Sequence, residues 1–171
     1  MSKLIWLTGL SGSGKTTIGR ELYKKLKNKE INTIFLDGDD FRDLIGNDLK
    51  YNIEDRLKNA IRIHNVCRFL TNQNINVVCS TMSLFEKIHQ LNRDTIENYF
   101  EILIECNLDE LIKRDKKGIY SQALTGKRND VIGINQEFEI PIEPTLRIDN
   151  TKKNKLNFKV DKIIKLIYNE D

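Results

Sequence analysis

The chain has 171 residues, a formal net charge of +3 and a pI near 8.7, enough length for one domain with a sizeable core. Its basic residues are interspersed with acidic ones except at Lys152, Lys153 and Lys155, and without a basic stripe carrying interleaved aromatics no nucleic-acid partner is expected. No run reaches the roughly 18 apolar residues of a membrane span, the N-terminus has no signal-peptide pattern, and Cys67, Cys79 and Cys106 lack metal-ligand spacing, so a reduced, cytoplasmic chain with no membrane partner is expected.

The predicted elements begin with Leu4-Ile5-Trp6-Leu7, a short apolar run of the kind a buried parallel strand shows. It leads into Gly9-Leu10-Ser11-Gly12-Ser13-Gly14-Lys15-Thr16, which fits G-x-x-x-x-G-K-[ST], and then into a helix over Thr17–Asn28 with Ile18, Leu22 and Leu26 on one face. Strand, glycine loop and helix start follow in the order a phosphate-binding loop requires. Gly12 and Gly14 let the backbone turn its N–H groups toward phosphate oxygens, and the positive end of the helix dipole points at the same spot. Lys15 is expected to reach the β- and γ-phosphates of a nucleoside triphosphate and to face solvent without one, while the Thr16 hydroxyl ligates Mg²⁺. Gly9, Ser11, Ser13 and Thr17 complete the expected nucleotide-binding stretch.

Ile31–Leu36 reads as a second strand running into Asp37-Gly38-Asp39-Asp40. A solvated turn would explain these carboxylates in isolation. They fall, however, at the carboxyl end of a strand, where open α/β sheets place their ligands, and both Mg²⁺ and a nucleophilic hydroxyl need carboxylates beside a phosphate loop. Ile53–Thr71 has a helical pattern carrying Arg56, Arg62 and Arg68, and Ile75–Ser80 is a third strand. Ser83-Leu84-Phe85-Glu86 has the form of a capping box and predicts a helix lasting to about Tyr99. Glu101–Cys106 is a fourth strand; Cys79 and Cys106 thus read as small buried groups in strands. A polar helical segment containing Arg114-Asp115-Lys116-Lys117-Gly118 follows, as in a cationic lid, here over about residues 107–130. Gly126–Pro144 reads as a long functional loop, Thr145–Ile148 as a fifth strand and Leu156–Tyr168 as a closing amphipathic helix. The predicted fold is α/β of the P-loop NTPase class: one domain, residues 1–171, with a parallel five-stranded sheet and helices on both faces.

A GTPase switch is disfavoured, because Asp115-Lys116-Lys117-Gly118 matches D-x-x-G only after the fourth strand and no N-K-x-D motif occurs. A small kinase suits the length, the lid and the acidic cluster. The loop Gly9–Thr17, Asp37-Gly38-Asp39-x-x-Arg42, Asp55-Arg56-x-x-Asn59, Arg114-Asp115-x-Lys117-Gly118-x-Tyr120 and Gly133-Ile134 … Glu139-x-Pro141 together resemble the adenylylsulfate (APS) kinase family from Leu4 to about Asn150. The resemblance implies transfer of the γ-phosphate of ATP, with Mg²⁺, to the 3′-hydroxyl of a small nucleotide whose 5′ end carries a mixed anhydride. It implies that Asp39 orients or deprotonates that hydroxyl and that Asp37 supports Mg²⁺ through water. Arg42, Arg56 and Asn59 would hold the acceptor, Lys117 would reach the transferring phosphoryl group, and Arg114 would lie near ATP. Lys15, Asp39 and Lys117 are thus the expected catalytic set. A homodimer is left open.

Three departures from the family pattern fall on the acceptor side. Of the aromatic pair usual around the acceptor adenine, Tyr51 remains, but the second position is Val131, within Val131-Ile132-Gly133 in place of Phe-Thr-Gly. The usual Ser-Pro-Tyr-Arg is Ser83-Leu84-Phe85-Glu86, and the paired arginines after the asparagine are Ile61 and Arg62. Tyr51, Ser83, Val131 and Ile132 are accordingly the acceptor-side positions to examine. Val131 can be a smaller wall, and a capping box would fully explain Glu86. Base–aromatic stacking is worth about 1–3 kcal/mol, so one lost ring points to a smaller base, and a lost arginine to a less charged 5′ group. The leading expectation is therefore a capsule-pathway type of APS-kinase-like protein, whose acceptor is cytidine 5′-diphosphoramidate. A plain APS kinase is the alternative, and a nucleotide-binding regulator without catalysis a remoter one.

Overall fold

The computed structural model describes residues 2–115 and 117–169; Lys116, one of the lid lysines named above, lies outside the described residues. In chain order the elements are β1 (Leu4–Thr8), α1 (Lys15–Lys29), β2 (Thr33–Asp37), α2 (Gly38–Leu44), α3 (Ile53–Asn72), β3 (Asn76–Ser80), α4 (Glu86–Thr95), β4 (Tyr99–Glu105), α5 (Leu108–Arg114), α6 (Ile119–Leu124), β5 (Leu146–Asp149) and α7 (Leu156–Tyr168). All strand pairs are parallel, in the order β2-β3-β1-β4-β5. After β1 the chain moves to one side of the sheet, and after β3 to the other. The loops following β1 and β3 therefore flank the crevice of a topological switch point.

The central strand is buried on both faces, which is why it reads as an unbroken apolar run. Ile5 and Leu7 pack with Ile18 and Leu22 of α1 and Ile163 and Ile167 of α7. Leu4 and Trp6 pack on the other face with Ile63 and Cys67 of α3 and Ile88 of α4. Burying side chains of this kind contributes about 1.5–3 kcal/mol each, and it holds the ends of β1 and α1 rigidly at the loop between them. No helix among the described residues is long and apolar enough to cross a membrane.

Several boundaries differ from the sequence pattern. β2 starts at Thr33, leaving Ile31 largely exposed. Residues 38–44 form α2, a helix the pattern did not predict, with the Asp37 side chain accepting the Asp39 N–H at its N-cap. The capping box is not formed. α4 begins at Glu86 with no cap from its own segment, and the Ser83 hydroxyl pairs instead with Thr81 Oγ1 at 3.1 Å. Glu139, far along the chain, accepts the Glu86 N–H at 2.7 Å, placing a carboxylate at the helix N-terminus where the dipole favours it. α4 then stops at Thr95 although Ile88, Asn92 and Ile96 keep helical spacing, because Tyr99 is already paired with Leu4 of β1. Cys67 and Cys79 are buried, whereas Cys106 lies one residue past β4 and is only half-buried.

Candidate active site

The loop from Gly9 to Gly14 is shaped from outside as well as by its glycines. Gly12 and Gly14 have φ of 78° and 103°, and a Cβ on Gly14 would lie 2.3 Å from Asn150 Nδ2. Four successive carbonyls are each held by a side chain. Leu10 O accepts from Lys15 Nζ at 2.8 Å, Ser11 O from the Tyr120 hydroxyl at 2.8 Å, Gly12 O from Arg114 Nη1 at 3.2 Å, and Ser13 O from Asn150 Nδ2 at 2.6 Å. Lys159 Nζ donates to Asn150 Oδ1 at 2.7 Å and so fixes which end of that amide faces the loop. With the carbonyls tied back, and the Ser13 N–H alone turned inward to Leu10 O at 3.2 Å, the other loop N–H groups remain for an anion at the start of α1. Tyr120 stood in a sequence motif without a role, Asn150 carried no signal beyond a polar residue after a strand, and Lys159 none beyond a lysine of the closing helix. Replacing Tyr120 with Phe removes one of these restraints. One hydrogen bond is worth about 0.5–1.5 kcal/mol, so the KM for ATP should rise roughly threefold to tenfold in steady-state kinetics, with the acceptor KM unchanged. An unchanged KM for ATP would show that the hydroxyl does not shape the loop.

Lys15 is not solvent-facing as its sequence context led us to expect: it is 9% exposed, folded onto the loop's own Leu10 carbonyl. Burial lowers its pKa from 10.5 to about 8, against the opposing pull of Asp39 and Asp37 and with a further push from Lys117. Thr16 Oγ1 donates to Asp37 Oδ2 at 2.8 Å, and Asp37 Oδ1 accepts the Asp39 N–H at 3.0 Å. Asp37 is thereby committed to the phosphate loop. The exposed Asp39 carboxylate points the other way and pairs with Lys117, whose pKa is raised chiefly by that hydrogen bond. A hydroxyl and a carboxylate in contact are hard oxygen donors that suit Mg²⁺, which takes one or two protein ligands plus phosphate oxygens and water. Among the described residues there is no larger cluster of His, Cys, Asp or Glu that could hold a metal by itself.

These groups line one side of a cavity of about 600 Å³, which Arg42, Tyr51, Arg56, Asn59 and Ser83 line on the other. Arg42 is buried and donates to the carbonyls of Leu49 and Lys50 at 2.8 and 3.1 Å. Arg56 donates to Tyr51 O at 2.6 Å and to Asp130 O at 3.0 Å. Asn59 Oδ1 is buried and has no hydrogen-bond partner among the described residues. Arg114 acts as a clamp, joining Glu110, Gly12, Asn150 and Thr151. Ser11, Gly12, Gly14, Thr16 and Thr17 line the cavity, whereas Gly9 and Ser13 do not. Arg62 pairs with Asp48 on the surface.

Two expected acceptor positions are not brought to the cavity. Val131 is 3% exposed and packs with Leu111, Tyr120 and Ala123, and Ile132 packs with Leu84 and Leu103. Their apolar side chains gain more inside those clusters than beside a polar cavity. Glu86 is also elsewhere, paired with Arg93, so it neither caps a helix nor faces the acceptor. On the acceptor side of the cavity the sequence reading missed Arg128. It lines the cavity, its guanidinium lies 5.5 Å from the centre of the Tyr51 ring, and it sits in the long loop with no motif around it.

Residues 1–149 match the family model for adenylylsulphate kinase. The chain is 46% identical over 162 residues to the cytidine diphosphoramidate kinase of Campylobacter jejuni subsp. jejuni serotype O:2, covering 95% of this chain and 94% of that one. It is 37% identical over 153 residues to the adenylyl-sulfate kinase of Pseudomonas aeruginosa, covering 88% and 78% respectively. Among solved structures, the Mycobacterium tuberculosis APS kinase in complex with AMPPNP and APS superposes with a TM-score of 0.88 at 28% identity, over 98% of both chains. The phosphate loop with its lysine, the paired carboxylates and the arginine-lined cavity thus sit on a fold and sequence shared with these kinases, and the chain belongs to the adenylylsulphate kinase family.

Proposed function

We propose that this kinase transfers the γ-phosphate of ATP to the 3′-hydroxyl of cytidine 5′-diphosphoramidate or a close cytidylyl relative. The observation that carries this reading is the acceptor end of the cavity. Among the described residues two aromatic side chains line the cavity, Tyr51 and Tyr120. Tyr120 is buried and its hydroxyl donates to Ser11 O of the phosphate loop, which leaves Tyr51 as the ring on the acceptor side. The position that would supply a second ring there is Val131, buried in the cluster around Leu111. Stacking on one ring forgoes about 1–3 kcal/mol per lost aromatic contact, which penalises a purine more than a pyrimidine. The greater identity to the Campylobacter diphosphoramidate kinase than to the Pseudomonas adenylyl-sulfate kinase supports the same choice.

In this reading the loop N–H groups and Lys15 hold the β- and γ-phosphates. Thr16 and Asp37 would hold Mg²⁺, which supplies neutralisation of phosphate charge. Arg42 and Arg56 bind the acceptor's phosphate, and Asn59 offers its unpartnered carbonyl to the acceptor. Asp39 accepts the proton of the 3′-hydroxyl as the new O–P bond forms and ADP leaves. Lys117 moves from Asp39 onto the equatorial oxygens of the group in flight. The segment 107–130 works as a lid, tied in the free protein to α2 through Lys117 and Asp39 and to the phosphate loop through Arg114 and Tyr120. Most of the acceleration comes from positioning and charge stabilisation, as phosphoryl transfer requires little covalent help.

A second reading, an adenylyl-sulfate kinase, is favoured by the family match and by the superposition on the Mycobacterium enzyme. A coupled ADP-release assay against a panel of acceptors separates the two. The cytidylyl acceptor should exceed APS by at least about tenfold in kcat/KM, the size of one lost stacking contact. Efficient use of APS with no turnover of cytidylyl acceptors would make the chain an ordinary APS kinase with a repacked lid. Restoring a ring by Val131→Phe is not a useful converse, since the added bulk would enter the cluster around Leu111 and Tyr120.

A further inference from the structure

Three guanidiniums surround the Tyr51 ring: those of Arg42, Arg56 and Arg128, at 4.7, 5.2 and 5.5 Å from its centre. They are not equivalent. Arg42 and Arg56 are anchored to backbone carbonyls, on Leu49, Lys50, Tyr51 and Asp130, and so belong to the walls. Arg128 is held by a side chain. Its Nε and Nη2 grip the two oxygens of Asp130, the latter contact at 3.2 Å, which occupies one edge of the guanidinium. Among the described residues nothing accepts from Nη1, so the terminal edge, one N–H from each Nη, is left free. A planar fork whose side edge is fixed and whose end edge is open is preorganised to read two adjacent acceptors.

We infer that Arg128 is the residue that selects the acceptor's base, its open edge donating to the O2 and N3 of a cytosine stacked on Tyr51. This rests on the cytidylyl reading proposed above. Two stacking steps of about 3.4 Å each need more than the 5.5 Å between ring and guanidinium, so the base meets Arg128 edge-on and not as a second stacked wall. Cytosine presents O2 and N3 as neighbouring acceptors. Adenine alternates donor and acceptor on both accessible edges, N6–H₂ beside N1 and N6–H₂ beside N7, so a fork that only donates leaves one of its N–H groups facing another donor. Uracil fails in the same way, because its N3 carries hydrogen. The device thus supplies attraction to one base and a mismatch to the others, which is how specificity is built.

The test is calorimetric titration of CMP, AMP and UMP into the intact protein saturated with ADP and Mg²⁺, for the parent, Arg128→Ala and Arg128→Lys, with thermal melts to confirm folding. The parent should prefer CMP over AMP and UMP. Both variants should bind CMP roughly tenfold to a hundredfold more weakly, the discrimination expected of one bidentate contact, while AMP changes by less than about threefold. Lysine keeps the charge and loses the fork, so it separates base reading from phosphate attraction. Equal weakening of CMP and AMP in Arg128→Ala, or full retention of the preference in Arg128→Lys, overturns the inference while leaving the cytidylyl reading in place. A parent protein that prefers AMP overturns both, and that arm alone judges the acceptor reading.

Discussion

Replacing Lys15 with Ala should lower phosphoryl transfer by at least about two to three orders of magnitude, the usual cost of removing one preorganised donor at developing charge, while the protein stays folded. Lys15 is buried beneath the phosphate loop, within reach of the fields of Asp37, Asp39 and Lys117. In so dry a place a point charge on the β- and γ-phosphates acts strongly in the transition state. The fold should not suffer, because the same burial penalises the ammonium: its folded pKa is about 8, below the ordinary 10.5. Between those two values the unfolded chain keeps a proton that the folded chain has released, so the stability contributed by this group rises with pH across the window. Urea unfolding at pH 7.5 and 10 should show that rise in the parent and lose its Lys15 component in the variant. The pKa also sets a kinetic expectation. In the proposed mechanism ATP binds the ammonium form, so the KM for ATP should be flat below about pH 8 and climb above it. Activity within tenfold of the parent would show that the loop is not the donor site.

How much of this arrangement could be read from the sequence depends on the range of each interaction. The strand, loop and start of α1 are local: Leu4–Leu7, the glycines and the Ile18-Leu22-Leu26 stripe are all explained within one turn or one pleat of themselves. The order of the alternating elements then leaves little choice but a parallel sheet. What the sequence hid is what reaches the site from far away. Tyr120 and Asn150 hold the carbonyls of Ser11 and Ser13 from 109 and 137 positions along the chain, and no local spacing announces them. Glu86 misled for a related reason. Its place in S-x-x-E was a sound local signal, but Arg93 and the cap from Glu139 won it for a different arrangement. Val131 was read as a wall of the cavity because the resemblance put an aromatic there, whereas an aliphatic side chain at that position is drawn into the lid's own core. Arg128 was overlooked because an arginine in a loop looks like any solvated charge until Tyr51 and Asp130 are placed beside it.

Converting Asp39 to Asn should reduce kcat by roughly 10²–10⁴-fold, the range for loss of a positioned general base, with a much smaller change in the KM for ATP. In the proposed mechanism Asp37, which ends β2, and Asp39, in the first turn of α2, divide the labour. Asp37 is spent on the donor side, accepting the Thr16 hydroxyl with one oxygen and the Asp39 N–H with the other. Asp39 contributes only its backbone to that arrangement, so the amide variant keeps the cap of α2 and the contact to Thr16. Its side chain is exposed to the cavity and faces Lys117. What Asn removes is therefore the negative charge that can take the acceptor's proton, together with the partner that holds Lys117 near the reaction. Loss of that partner gives a second readout. Lys117 should lose the upward pull on its pKa that comes chiefly from the Asp39 hydrogen bond, which NMR titration of the lysine side chains can follow. If Asp39→Asn instead weakens ATP binding with kcat intact, Asp39 serves the donor. The proton would then have to go to Asp37, whose carboxylate is already occupied by the loop in the free protein.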